Sequence, residues 1–109
     1  KAIADTIKKH RQDVLIVASS DMNHYESDAV TRGKDTEAIA EVLKLDADGL
    51  LRITSEKEIT MCGAIPAAIA INAAKLLGAT SAEVVGYATS GDVNKDYAQV
   101  VGYAGILIK

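Results

Sequence analysis

Three short stretches hold the residues able to do chemistry. In SSDMNHY, Ser19 to Tyr25, the carboxylate of Asp21 stands three positions before the imidazole of His24. On a helical turn that spacing would set the two side by side. A carboxylate beside an imidazole orients the ring and raises its basicity, which suits general acid–base work. In TMCGAIP, Cys62 precedes an apolar run whose first helical turn would offer N–H groups and a positive dipole end. Both favour a thiolate, which is a nucleophile and a soft metal ligand. In YATSGDV, Ser90 and Asp92 follow a strand-like run, the end at which open α/β sheets bind ligands. Ser20, Tyr25, Ser90 and Asp92 are the candidates for hydrogen bonding a small molecule or peptide in such a cleft.

Each feature also has a plainer reading. Ser20 or Asp21 can cap a following helix and leave His24 on the surface. Cys62 can be a buried free cysteine, and Gly91-Asp92 an ordinary turn. The His24–Cys62 spacing matches no local zinc motif, and there is no CxxC, HExxH, GxGxxG or P-loop. His10 suits a cation near a helix C-terminus. The charged residues from Arg32 to Glu41 read as a solvated helix face, and Tyr87, Tyr97 and Tyr103 as core or rim.

The elements that must position these residues follow from hydrophobic period. Residues 2–11 read as the end of an amphipathic helix. Asp13–Ser19, with VLIVA apolar on both faces, reads as a central strand covered by helices. Residues 27–45 read as helix, broken near Gly33 and capped again by Asp35 or Thr36. Asp46–Lys57 gives a further helix. Ala64–Leu77 gives a helix buried nearly all round, with Pro66 in its first turn and Gly78 past its end. Ala82–Ala88 and Ala98–Ile108 complete three strands, and Gly86 and Gly102 within them suggest a close approach. Helices between strands make a layered α/β fold, one structural unit over residues 1–109. Three strands form a thin sheet for so many helices. The chain also opens on Lys1 instead of Met, partway through a helix. Both lead to the expectation of an incomplete portion of a larger α/β domain, completed by a missing N-terminal half or by a homo-oligomeric partner.

Composition narrows the function classes. Of 109 residues, 49% are apolar, enough for a core without Trp or Phe. The net charge of −3 and the scattered Lys and Arg argue against nucleic acid or an anionic membrane as partner. A single cysteine forbids an internal disulfide, and with no signal-peptide pattern a cytoplasmic location is expected.

Taken in order, SSDMNHY, TMCG before a helix, YATSGDV and VVGYAGI resemble the C-terminal part of the Memo-like family, whose microbial members are also called AmmeMemoRadiSam system protein B. The resemblance runs from about Asp13 to the end of the chain. It implies kinship with class III extradiol dioxygenases of the LigB type and an α/β fold with a non-haem metal in a cleft. The metal, iron, copper or zinc, would be held by two histidines and a cysteine. The cysteine matches Cys62, and the family's S-S-D-x-x-H places Asp21 and His24 beside the metal as an acid/base pair. Both histidine ligands are expected outside this chain, and His10 sits in no matching motif. A thiolate where the dioxygenases carry a carboxylate turns the site toward softer metals and away from the 2-His-1-carboxylate face that ring cleavage uses. The fold therefore carries no dioxygenase activity with it.

Three functions fit these residues. The first is a metal-dependent redox site with Cys62 as ligand and Asp21/His24 as acid/base. The second is a non-catalytic module that binds a peptide or anion in the same cleft. The third is a Cys–His hydrolase or transferase, for which no oxyanion-hole signature stands out.

Overall fold

A computed structural model describes residues 1–10 and 16–109. Helix α1 (Ala2–His10) is followed by strand β1 (His24–Glu26), then helices α2 (Asp28–Leu43), α3 (Ala47–Glu56) and α4 (Ala64–Leu76). Strand β2 (Ala82–Thr89), the short helix α5 (Gly91–Asn94) and strand β3 (Val100–Ile108) complete the order. Among the described residues the strands form one antiparallel sheet in the order β1-β3-β2. The fold is thus the expected α/β layering, but its strands are not all the expected ones. Residues 13–15 of the predicted first strand lie outside the described residues. Residues 16–19 carry no strand pairing, and Val17 is 76% exposed. The third strand is instead the three-residue β1, immediately downstream, whose polar sequence HYE carries no hydrophobic alternation.

The helix α2 runs unbroken through Gly33, contrary to the predicted break. Its true cap is Ser27, whose hydroxyl accepts the Val30 N–H. A helical glycine costs roughly 1 kcal/mol relative to alanine. The buried stripe of Thr31, Asp35, Ala38, Ile39 and Val42 holds the helix through it. Asp35 is therefore no solvated residue, which corrects the reading of Arg32–Glu41 as a solvent face. Asp46 caps α3 through the Gly49 N–H, as its residue type favours.

The core forms where α2 packs on the sheet, α3 packs on α2, and α4 packs on α3. Leu50 of α3 and Ile71 of α4 lie at its centre with Ala38, Ile39, Val42, Ile59 and Ala68. Tyr87, Ala104, Ile106 and Ile108 pack onto it from the strands. Burying one such Leu or Ile fully contributes about 1.5–3 kcal/mol. The helix α4 was expected to be buried all round, yet Ile65, Ile69 and Leu76 are exposed and only Ala68, Ile71 and Ala73 are buried. Its remaining apolar face has no cover among the described residues. Gly78, at φ +101°, turns the chain out of α4 in the left-handed conformation that its position predicted. No helix among the described residues is long and apolar enough to cross a membrane.

Candidate functional site

The segment before β1 is anchored to β3 by its backbone. The Met22 N–H donates to the Gly102 carbonyl (2.8 Å), and the Gly102 N–H donates to the Asn23 carbonyl (3.0 Å). His24 then pairs with Val101 and Glu26 with Val100, so Tyr25 is an extra residue on β1. That β-bulge places Tyr25 at φ +60°, with the residue 74% exposed and its ring centroid 5.7 Å from that of His24. A left-handed conformation costs a tyrosine about 1–2 kcal/mol, while glycine adopts it freely but loses about 0.5–1 kcal/mol of backbone entropy. Tyr25→Gly is accordingly expected to raise stability by about 0.5–1 kcal/mol in a urea titration. A loss of stability would mean that the ring buttresses the turn.

Asp21 and His24 come together, though not on a helical turn. The chain enters the bulged strand there, and His24 Nε2 lies 3.5 Å from Asp21 Oδ2. The imidazole is mostly buried and the carboxylate about half exposed. The group that orients the ring is one the sequence did not reveal. His24 Nδ1 lies 2.6 Å from the Thr60 carbonyl, which can only accept, so Nδ1 carries a proton. In the neutral ring, Nε2 then holds the lone pair and faces Asp21. That is an arrangement for taking a proton at Nε2 with a carboxylate waiting to steady the cation. The backbone N–H of His24 donates to Thr60 Oγ1 (2.7 Å), so one threonine grips the residue at both ends.

A second contact joins the same two segments. Ser20 Oγ accepts the Gly63 N–H (2.8 Å), donates to the Asp21 carbonyl (2.7 Å) and lies 3.8 Å from Cys62 Sγ. With the hydroxyl hydrogen committed to Asp21, the thiol of Cys62 is the donor in that last contact. A Cβ on Gly63 would collide with the Ser20 side chain and the Ser19 carbonyl, so glycine is required where the segments cross. Cys62 itself is exposed. It precedes Gly63, the N-cap of α4, which offers no side-chain cap. The soft donor is suited to a metal, but no set of three or more His, Cys, Asp or Glu side chains converges among the described residues. The donors described here do not by themselves close a metal site.

Behind the site lies a buried polar network. The Asn23 side chain is fully buried: its oxygen accepts the Thr60 N–H (3.0 Å) and hydroxyl (3.1 Å), and its amide donates to Glu26 and Thr31. Asp35, also fully buried, accepts the Asn23 backbone N–H (2.9 Å) and the Tyr87 hydroxyl. Burial pushes the Asp35 carboxyl above the usual range, against the pull of those two bonds. Burial and the neighbouring Asp35 carboxyl push the Tyr87 phenol up as well. Lys34 and the Asn23 amide hold the Glu26 carboxyl below its ordinary range.

Ser90 and Asp92 are engaged elsewhere. Ser90 Oγ accepts the Val101 N–H, and Asp92 accepts the Thr89 N–H, while both its carboxylate oxygens accept from the one Arg32 Nη2. Those donors, the Thr89 N–H foremost, hold the Asp92 carboxyl below its usual range. These side-chain bonds secure the corner between β2, α5 and β3, and none reaches Ser20, Asp21, His24 or Cys62. Sequence reasoning gave Asn23 and Thr60 no role, read Asp35 as a cap and Tyr87 as core or rim, because each gains its actual role from a partner 12 to 52 positions away.

Residues 1–107 match the sequence model of the family described as Memo-like protein. The chain is 39% identical over all its 109 residues to a MEMO1 family protein of Methanopyrus kandleri, of which it covers 38%. It is 43% identical over 107 residues to one from Pyrobaculum aerophilum, covering 98% of this chain and 38% of that one. A third, from Aquifex aeolicus, is 45% identical over 96 residues, 88% of this chain and 36% of the relative. The chain thus spans under two fifths of the length of the curated relatives that it matches.

Proposed function

The chain belongs to the Memo-like protein family, and we propose that within a longer protein it supplies one wall of a metal-dependent redox site. In this reading Cys62 is one ligand of a non-haem iron, copper or zinc ion, and two histidines from outside this chain complete the set. Asp21 and His24 form the acid/base pair, and Ser20 and Tyr25 contact the small molecule or peptide in the cleft. Ser90 and Asp92 shape the far corner, with their own bonds limiting what they can offer a substrate. The setting is cytoplasmic, where a lone exposed thiol stays reduced.

The observation that carries this reading is the double staple between SSDMNHY and TMCG. Ser20 bonds Gly63 and touches Cys62, while Thr60 bonds both the backbone and the ring of His24. Two segments some forty residues apart are thereby held together, one carrying the Asp21–His24 pair and the other Cys62. When bound, the ion would supply a Lewis-acidic or one-electron centre. The chain's own part is to move a proton at His24 Nε2, with Asp21 stabilising the imidazolium and Thr60 keeping the ring from turning.

Metal content of the full-length protein tests the ligand assignment. Cys62→Ala is expected to lower metal affinity by about tenfold or more, since even residues behind the ligands cost about 10–100-fold. Equal metal content in the variant and the parent would remove Cys62 from the ligand set. Tight peptide binding by metal-free protein, with no turnover, would turn the reading to a non-catalytic module in the same cleft.

A further inference from the structure

We propose that Asp35 is a positioning residue for His24, and that its buried carboxyl decides which imidazole nitrogen faces Asp21. The inference rests on the reading of His24 as the group that moves a proton. Asp35 projects from the middle of α2 into a place with no water access, and among the described residues no cation pairs with it. The neighbouring cations are committed elsewhere: Lys34 to Glu26, and Arg32 to Asp28 and Asp92. A lone buried carboxyl is costly, and an apolar side chain of the same size would fill the space at no such cost. An apolar side chain could not, however, accept the Asn23 N–H.

That bond sets the turn. From Asn23 the path to the imidazole is short: the amide oxygen takes the N–H and hydroxyl of Thr60, and the Thr60 carbonyl takes His24 Nδ1–H. Three features hold the Asp35 carboxyl in the rotamer the path requires. Tyr87 donates to its second oxygen, and the Arg32 guanidinium lies 5.6 Å from the centre of the Tyr87 ring. Gly102 on β3 leaves bare the space the carboxyl occupies, because a Cβ there would overlap Asp35 Oδ2. Helix, sheet and turn therefore meet at one carboxyl.

Nitrogen-detected NMR of the full-length protein tests this, because it reports which ring nitrogen of His24 carries the proton and how fast that proton exchanges. Asp35→Ala is expected to release the turn, speeding exchange of the His24 Nδ1–H and the Asn23 amide about tenfold or more and mixing the tautomers. Asp35→Asn retains an oxygen for the Asn23 N–H and should preserve the parent tautomer. Tyr87→Phe keeps the volume but frees one carboxyl oxygen, and should give an intermediate exchange rate. Parent-like His24 signals in folded Asp35→Ala would overturn the proposal. If Asp35→Ala does not fold, parent-like exchange in Tyr87→Phe would overturn it. His24→Gln separates the two readings. Unchanged metal-dependent turnover in that variant would end the acid/base role of His24 and leave the tautomer measurement standing.

Discussion

Gly102→Ala is expected to cost the protein about 2–4 kcal/mol, a large share of the roughly 5–15 kcal/mol that holds a domain folded. The added methyl would overlap Asp35 Oδ2 and approach the Tyr87 hydroxyl at 3.1 Å. Neither can move cheaply. Asp35 is fully buried and is bonded to Asn23 and Tyr87, and the Gly102 backbone is itself bonded in both directions to residues 22 and 23. Displacing the carboxyl strands the Asn23 N–H, and displacing the strand breaks the anchor of the His24 turn. Overpacking and an unsatisfied buried donor thus add. Urea denaturation of the variant gives the magnitude, and the Asp35→Ala/Gly102→Ala pair gives the coupling. Additivity in that cycle would show that the two residues do not compete for the same space.

Asn23→Ala should follow closely, at about 2–4 kcal/mol. The side-chain amide of Asn23 has two donor hydrogens and two acceptor positions, and all four are used, by Glu26, Thr31 and twice by Thr60. Alanine would leave the Thr60 N–H without its partner and loosen the segment leading to Cys62. Asn23→Asp preserves the shape but should cost at least as much at neutral pH. It removes both donors and faces a carboxylate toward Glu26. Acidification should recover part of that loss, because a protonated Asp at this position regains a donor and sheds the repulsion. A stability for Asn23→Asp equal to that of the parent across neutral pH would show that Glu26 turns away to solvent. Circular dichroism melts of the three proteins at two pH values measure both effects.

Much of the site was legible as residue types. The pairing of Asp21 with His24, the isolation of Cys62 and the ordering of SSDMNHY before TMCG stand in the sequence itself. The helices α3 and α4 were legible for the same reason: Asp46, Pro66 and Gly78 act on their own neighbours, and local effects can be read locally. The errors have one physical origin. Gly33 looked like a helix break because intrinsic propensity weighs it alone, while in the fold a stripe from Thr31 to Val42 holds the helix through it. Asp35 looked solvated because charge normally seeks water, and nothing nearby in sequence announces Tyr87 or a bare Gly102. The strand β1 was missed because three polar residues with a bulge carry no alternation. Its pairing is conferred by β3, some seventy-five residues downstream.

By itself, then, the sequence determined which groups are chemically able: one thiol, one carboxylate–imidazole pair, and an apolar α/β frame to carry them. Tertiary structure alone decided what holds them. The Thr60 carbonyl, not Asp21, orients the imidazole, and Ser20 ties its segment to Cys62. The buried Asp35 accepts the Asn23 backbone N–H where the turn begins. The reason is that a side chain's chemistry is intrinsic to its type, whereas its direction is set by hydrogen-bond partners that only the folding of distant segments brings within reach.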